Sequence, residues 1–149
     1  MEVWLRSIQG KRLQSVMGLF HEYEADRDRR AQQFCFVVDT LQPFKLFGGG
    51  DGVSIRMSEQ CMSEVDMQEF GRMVRLDISQ SHPFSQFISK KISSVAVVIS
   101  NREEATIGVV INFDGRGFSI LNLGDEFYIY DEIPKEILAE EKLSIVLVG

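Results

Sequence analysis

Three apolar runs, Val95–Ile99, Thr106–Phe113 and Phe118–Leu121, are joined by two very short polar links. Asn101-Arg102-Glu103-Glu104 separates the first two, and Asp114-Gly115-Arg116-Gly117 separates the second from the third. Each run is short, and the first two are rich in β-branched residues, so all three read as strands. A parallel crossover needs a dozen or more residues, so links this short force antiparallel neighbours. The centre of the chain is therefore an antiparallel meander, and other elements must pack around it.

Strand signals continue on both sides. Phe34-Cys35-Phe36-Val37-Val38 and Phe44–Phe47 are β-rich runs, and Gly48-Gly49-Gly50-Asp51-Gly52 turns the chain into Val53–Met57. Met73–Ile78 alternates, with Val74, Leu76 and Ile78 on one face and Arg75 and Asp77 toward water. Ser58–Phe70 fits neither helix nor strand. Glu126–Tyr130 and Leu143–Val148 are further strands, the latter closing the sheet. Helices are expected in three places. Leu13, Val16, Met17 and Phe20 fall at i, i+3, i+4, i+7, which predicts an amphipathic helix over about Lys11–Asp28, lying on the sheet. His82-Pro83-Phe84 opens a short helix carrying Phe84, Phe87, Ile88 and Ile92, and Pro134 starts another with Ile137 and Leu138. The expected fold is α+β, a curved, mainly antiparallel sheet of six to seven strands with two or three helices packed on it. With 149 residues and no linker or repeat, the chain reads as a single domain, 1–149.

Charge is distributed unevenly. Residues 101–149 hold four Lys and Arg against ten Asp and Glu, a balance of −6, which equals the net charge of the whole chain. That sign argues against nucleic acid as a direct partner, since duplex binding relies on Lys and Arg at phosphates. The basic cluster Arg27, Arg29, Arg30 alternates with Asp26 and Asp28 and reads as the solvated tail of the first helix. No apolar run approaches the roughly 20 residues that span a bilayer, so no membrane association is expected. The N-terminus shows no secretory leader, and the lone cysteines, Cys35 and Cys61, suit a reducing cytoplasm better than a disulfide.

Catalytic signatures are missing from the sequence. The glycine run leads into a strand, not into the Lys-Ser/Thr helix start that a phosphate loop requires. His21 and His82 are far apart, His-Glu-Tyr-Glu is not the two-histidine zinc pattern, and no metal or other cofactor is expected. No nucleophile elbow is present, and Glu140-Glu141-Lys142 lacks the preceding Asp that a metal-dependent nuclease needs. The chain is expected not to be an enzyme.

What stands out instead is the run Gly124–Pro134. If Phe127 and Ile129 face the core, Tyr128 and Tyr130 share the outer face with nearby carboxylates. Carboxylates steer a basic partner, and tyrosines supply rigid anchors. The candidate partner-binding residues are Asp125, Glu126, Tyr128, Tyr130, Asp131, Glu132 and Glu136. Turn formation and helix capping compete as local explanations for Asp125 to Glu132.

About a third of the chain, Phe87 to Ile137, resembles small bacterial immunity proteins encoded beside polymorphic or contact-dependent growth-inhibition toxins. The resemblance rests on Phe-Ile-Ser-Lys-Lys-Ile at 87–92, on Gly108-Val109-Val110-Ile111-Asn112-Phe113 followed by Asp114-Gly115, and on Leu121-Asn122-Leu123-Gly124-Asp125-Glu126. It implies a cytoplasmic protein that binds a cognate toxin, often a nuclease with a basic groove, and blocks it. Such families have no fixed functional residues to carry over. The competing class is an acidic secretion chaperone, a dimer that opens with an amphipathic helix and binds an exported effector. The strand expected at Leu143–Val148 speaks against it, because that family typically ends with a helix.

Overall fold

The computed structural model describes residues 1–60 and 62–149, so Cys61, and with it any pairing to Cys35, lies outside the described residues. Among the described residues, twelve strands follow the helix α1 (Glu2–Ile8), with a second helix, α2 (Lys135–Glu140), before the last. The first seven strands are β1 (Leu13–Tyr23), β2 (Asp26–Arg27), β3 (Gln33–Val38), β4 (Phe44–Gly48), β5 (Ile55–Ser58), β6 (Val65–Asp66) and β7 (Arg72–Asp77). They form one sheet in the order β5-β4-β3-β1-β7-β6, with β2 folded back on β1. The others are β8 (Ser94–Ser100), β9 (Ala105–Asn112), β10 (Gly117–Leu123), β11 (Glu126–Tyr130) and β12 (Leu143–Leu147), ordered β11-β10-β9-β8-β12. Every pairing is antiparallel. The α+β class with a curved antiparallel sheet holds, and the strands divide between two sheets whose inner faces share one core.

Turn chemistry explains the second sheet. Asp114 and Gly115 between β9 and β10, and Gly124 and Asp125 between β10 and β11, all have positive φ. Two successive residues in that region define the tight hairpin turn whose twist matches the flanking strands. Alternation then fills the core: Val95 and Val97, Val109 and Ile111, Phe118 and Ile120, and Phe127 all point inward. They meet Val16, Phe20, Phe34 and Phe36 of the first sheet. Ring pairs span the gap, Phe36 to Phe118 at 6.2 Å and Phe34 to Phe127 at 5.7 Å between centroids.

Two expected helices are corrected. Lys11–Asp28 is no helix: β1 runs through it as an eleven-residue strand, and Arg29 and Arg30 follow β2 in a loop. The His82-Pro83-Phe84 helix reduces to a single 3-10 turn, Phe84–Gln86, although Phe84, Phe87 and Ile92 are buried as expected. The Pro134 helix is present as α2. Its segment crosses the outer face of the second sheet, and Ile133, with Ile137 and Leu138, covers Val98, Ile107 and Leu121 there. The glycine run Gly48–Gly52 is the expected turn, and Asp51 holds it by accepting the Val53 and Ser54 amides at 3.0 and 2.8 Å. Those bonds keep the Asp51 carboxyl below its usual range. Among the described residues no helix is long and apolar enough to cross a membrane.

Candidate functional site

The candidate residues sit on β11 and on the segment that leaves it. β11 is an edge strand, paired among the described residues only with β10, in the register Leu121 opposite Tyr128 and Ser119 opposite Tyr130. Phe127 is buried in the core, and Tyr128 and Tyr130 lie half-buried on the outer face, as alternation requires. Their rings stack, with centroids 6.3 Å apart and planes 12° from parallel. Tyr130 also leans on the cluster beneath Ile133, and its burial raises the phenol above its usual pKa of 10.0.

Carboxylates flank this ring pair at both ends. Asp125 is the second residue of the hairpin turn, with φ 67°, so turn geometry accounts for its place in sequence. Glu126 is exposed and accepts the Tyr128 hydroxyl at 3.3 Å. At the other end, Asp131 and Glu132 are exposed. Neither caps α2, whose N-cap is Pro134 with no side-chain cap bond, so helix capping does not account for them. Glu136 stands exposed on the first turn of α2. The structure thus groups Glu126, Tyr128 and Tyr130 tightly, sets Asp125 and Asp131 at the two ends, and leaves Glu132 and Glu136 without ion pairs among the described residues.

Four side chains that sequence reasoning assigned elsewhere or passed over complete the surface. Arg30 reaches over from the loop after β2, its guanidinium carbon 3.7 Å from the Tyr128 ring centroid. It also lies 4.0 Å from Glu126 and donates to the Phe127 carbonyl at 3.4 Å. The Arg27–Arg30 cluster is therefore not a solvated helix tail, because one member folds onto β11 and partly offsets its acid. His82 Nε2 lies 2.9 Å from an Asp131 carboxylate oxygen, the Gln86 amide nitrogen lies 3.0 Å from His82 Nδ1, and the Gln86 amide oxygen accepts from Arg116. These contacts join residues 49 and 97 apart in sequence, beyond the reach of any local pattern.

Between the loop after β2 and the β10–β11 turn lies an open cleft of about 620 Å³, lined by Arg29, Arg30, Gln33, Gly48, Asp125 and Glu126. Its mixed charge suits a polar protein surface more than an apolar small ligand. Among the described residues no three His, Cys, Asp or Glu converge as a metal site. His21, which the sequence sets apart from zinc patterns, contacts the Phe70 carbonyl at 2.7 Å and lies 3.7 Å from Asp28. The corner Glu140–Lys142 is the solvated turn before β12, with Glu141 3.9 Å from Arg102.

Burial and the neighbouring Tyr128 hold the Tyr130 phenol up, and Arg30 acts against them. Its charge lowers the Tyr130 pKa, opposing the larger effect of burial. In an Arg30→Met variant, Tyr130 is expected to ionise at still higher pH than in the native chain, as followed by ultraviolet difference titration. An unchanged titration would mean that Arg30 does not sit over β11 in solution.

Comparison with known proteins finds no matching family model, and no curated sequence or solved structure that matches the chain.

Proposed function

We propose that this chain is an immunity protein that binds and neutralises a cognate toxin domain, a basic one of the nuclease kind, in the cytoplasm. The observation that carries the reading is the stacked Tyr128–Tyr130 pair on an edge strand, with Asp125 and Glu126 at one end and Asp131 and Glu132 at the other. Rigid aromatics with flanking charge are what hot spots for a basic partner are built from. Arg30 covers one face of Tyr128 but offsets Glu126 only in part. Its contact with Glu126 is long and exposed, and pairs of that kind contribute about 0–1 kcal/mol, so a lysine or arginine of the partner can replace it. The local excess of acid in residues 101–149 supports the same reading, since charge of one sign accelerates encounter with the opposite sign.

The test uses the toxin-like product of the reading frame next to this chain's own. The native chain is expected to bind it one to one and to block its activity at equal stoichiometry. Reversing two charges, Asp131→Lys with Glu132→Lys, is expected to slow association about tenfold or more at low salt and to flatten its dependence on ionic strength, with a smaller change in dissociation. Stopped-flow mixing across a salt series reads both quantities. Association that is equally fast and equally salt-dependent in the double variant rejects this surface.

A further inference from the structure

The other open edge of the second sheet has a different character. Leu143–Leu147 holds no Lys, no Pro and no bulge, the devices by which edge strands avoid pairing with another chain. Ile145, Val146 and Leu147 are 50%, 46% and 70% exposed. β11, at the opposite edge, is partly blocked by the bond from Arg30 to the Phe127 carbonyl.

Backbone direction on β12 follows from two bonds that bracket it. Val148 N–H donates to Val95 at 3.0 Å, and the Lys142 carbonyl accepts from Asn101 N–H at 2.9 Å. Residues of an antiparallel strand alternate in the side to which their N–H and C=O point. Lys142, Ser144, Val146 and Val148 therefore face β8, and Leu143, Ile145 and Leu147 direct both groups to the open edge. No bond to those outward groups occurs among the described residues. Ile145 lies opposite Val98, so Leu143, Ile145 and Leu147 also share the outer face that α2 partly covers.

We propose that a second copy of this chain pairs on β12, antiparallel and about a two-fold axis through Ile145, joining two five-stranded sheets into one of ten. In that register all three outward-facing residues of each copy are paired, more than in any register shifted by two. Ile145 meets the second copy's Ile145, and Leu143 meets its Leu147 in both directions, each facing pair exchanging two N–H···O bonds. On the outer face all three pairs are apolar, and on the inner face Ser144 meets Val146. No charged side chain of Leu143–Leu147 faces another, since the strand has none, so nothing in the pairing sets like charges opposite each other. Two five-residue edges bury less than the roughly 1,200 Å² at the lower bound of stable interfaces, so the dimer is a weak, concentration-dependent one. Because each copy carries −6, added salt strengthens this association, whereas it weakens capture of a basic toxin. The inference is independent of the toxin-binding reading.

Sedimentation equilibrium from about 1 μM to about 1 mM tests it, a range that covers weak association. The native mass is expected to rise from 17.0 kDa toward twice that value, and to do so at lower concentration in higher salt. Ile145→Pro removes an N–H that makes no internal bond and is tolerated on an edge strand; it is expected to weaken association tenfold or more with an unchanged circular dichroism spectrum. Leu147→Lys serves if that variant does not fold. Register is read by air oxidation, with Ile145→Cys expected to cross-link into a covalent dimer and Ser144→Cys not. A native chain that stays at 17.0 kDa throughout overturns the proposal, as does a folded Ile145→Pro or Leu147→Lys variant that associates as the native chain does.

Discussion

Phe118→Ala is expected to lower stability by about 3–5 kcal/mol, the usual cost of emptying a fully buried aromatic site. Phe118 has no exposed surface and stands where both sheets and the turn after β7 converge. Its ring lies 5.0 Å from Phe84 at 85°, 5.9 Å from Phe87, 6.1 Å from Phe113 and 6.2 Å from Phe36. Those neighbours come from β3, from the 3-10 turn and its end, and from the β9–β10 hairpin, so no single element can shift to fill the space. Poor collapse places the loss toward the upper part of that range, because cavity cost grows with the volume left unfilled. Typical domains are stable by only about 5–15 kcal/mol, so the variant is at risk of populating unfolded chains at ordinary temperature. Phe70→Ala is the control. Phe70 is 69% exposed, and its replacement should change stability by no more than about 0.5 kcal/mol. Urea unfolding reads the difference, with a lower midpoint for Phe118→Ala at an unchanged slope.

The elements legible from sequence are those whose evidence is local. The β8–β9–β10 meander follows from short links and turn residues, and each link appears as a tight turn or hairpin in the structure. β1 misleads for a physical reason. Its register against β3 shifts between Leu13, opposite Val38, and Ser15, opposite Val37, so Gln14 is an extra residue. The shift reverses parity, so Leu13 points inward before it and Val16 and Phe20 after it. Met17 and Leu19 are covered on the other face, with Cys35 and Met62. Apolar residues then fall at the 3–4 spacing of a helix although the backbone is extended. Gly18, a weak point in the helix reading, has a strand reason: a Cβ there would lie 2.7 Å from the Phe20 ring. α1 escapes notice because seven residues hold barely two turns, too few for Leu5 and Ile8 to set a period. At the site, alternation along β11 correctly put Tyr128 and Tyr130 together on the outer face. The arrival of Arg30 and His82 depends on how the two halves of the chain pack, and no spacing within either half encodes that.

Gly108→Val is expected to cost about 3 kcal/mol, the upper end of overpacking penalties, and to loosen one segment more than the rest. Gly108 lies opposite Leu121 in the β9–β10 ladder, and the Leu121 side chain occupies the space where a Cβ would be. That Cβ would also come within 2.6 Å of the Ile120 carbonyl oxygen, a backbone atom of the neighbouring strand. A side chain can turn aside, but this oxygen cannot move without disturbing the strands that pair on either side of it. Leu121 is also the floor on which Ile133 rests, together with Val98 and Ile107. Displacing it lifts the crossing segment at its anchor, and Asp131, Glu132 and Glu136 travel with that segment. Amide exchange in residues 131–138 is therefore expected to accelerate well beyond the global change, while the β1–β3–β4 amides follow global stability alone. Gly50→Ala is the matched control: no atom lies within 4 Å of its added Cβ, so it should alter neither quantity appreciably. If Gly108→Val leaves exchange at 131–138 in step with the rest of the chain, the acidic segment is not held through Leu121. Its position must then be set from the other side, through the Asp131–His82–Gln86 hydrogen bonds.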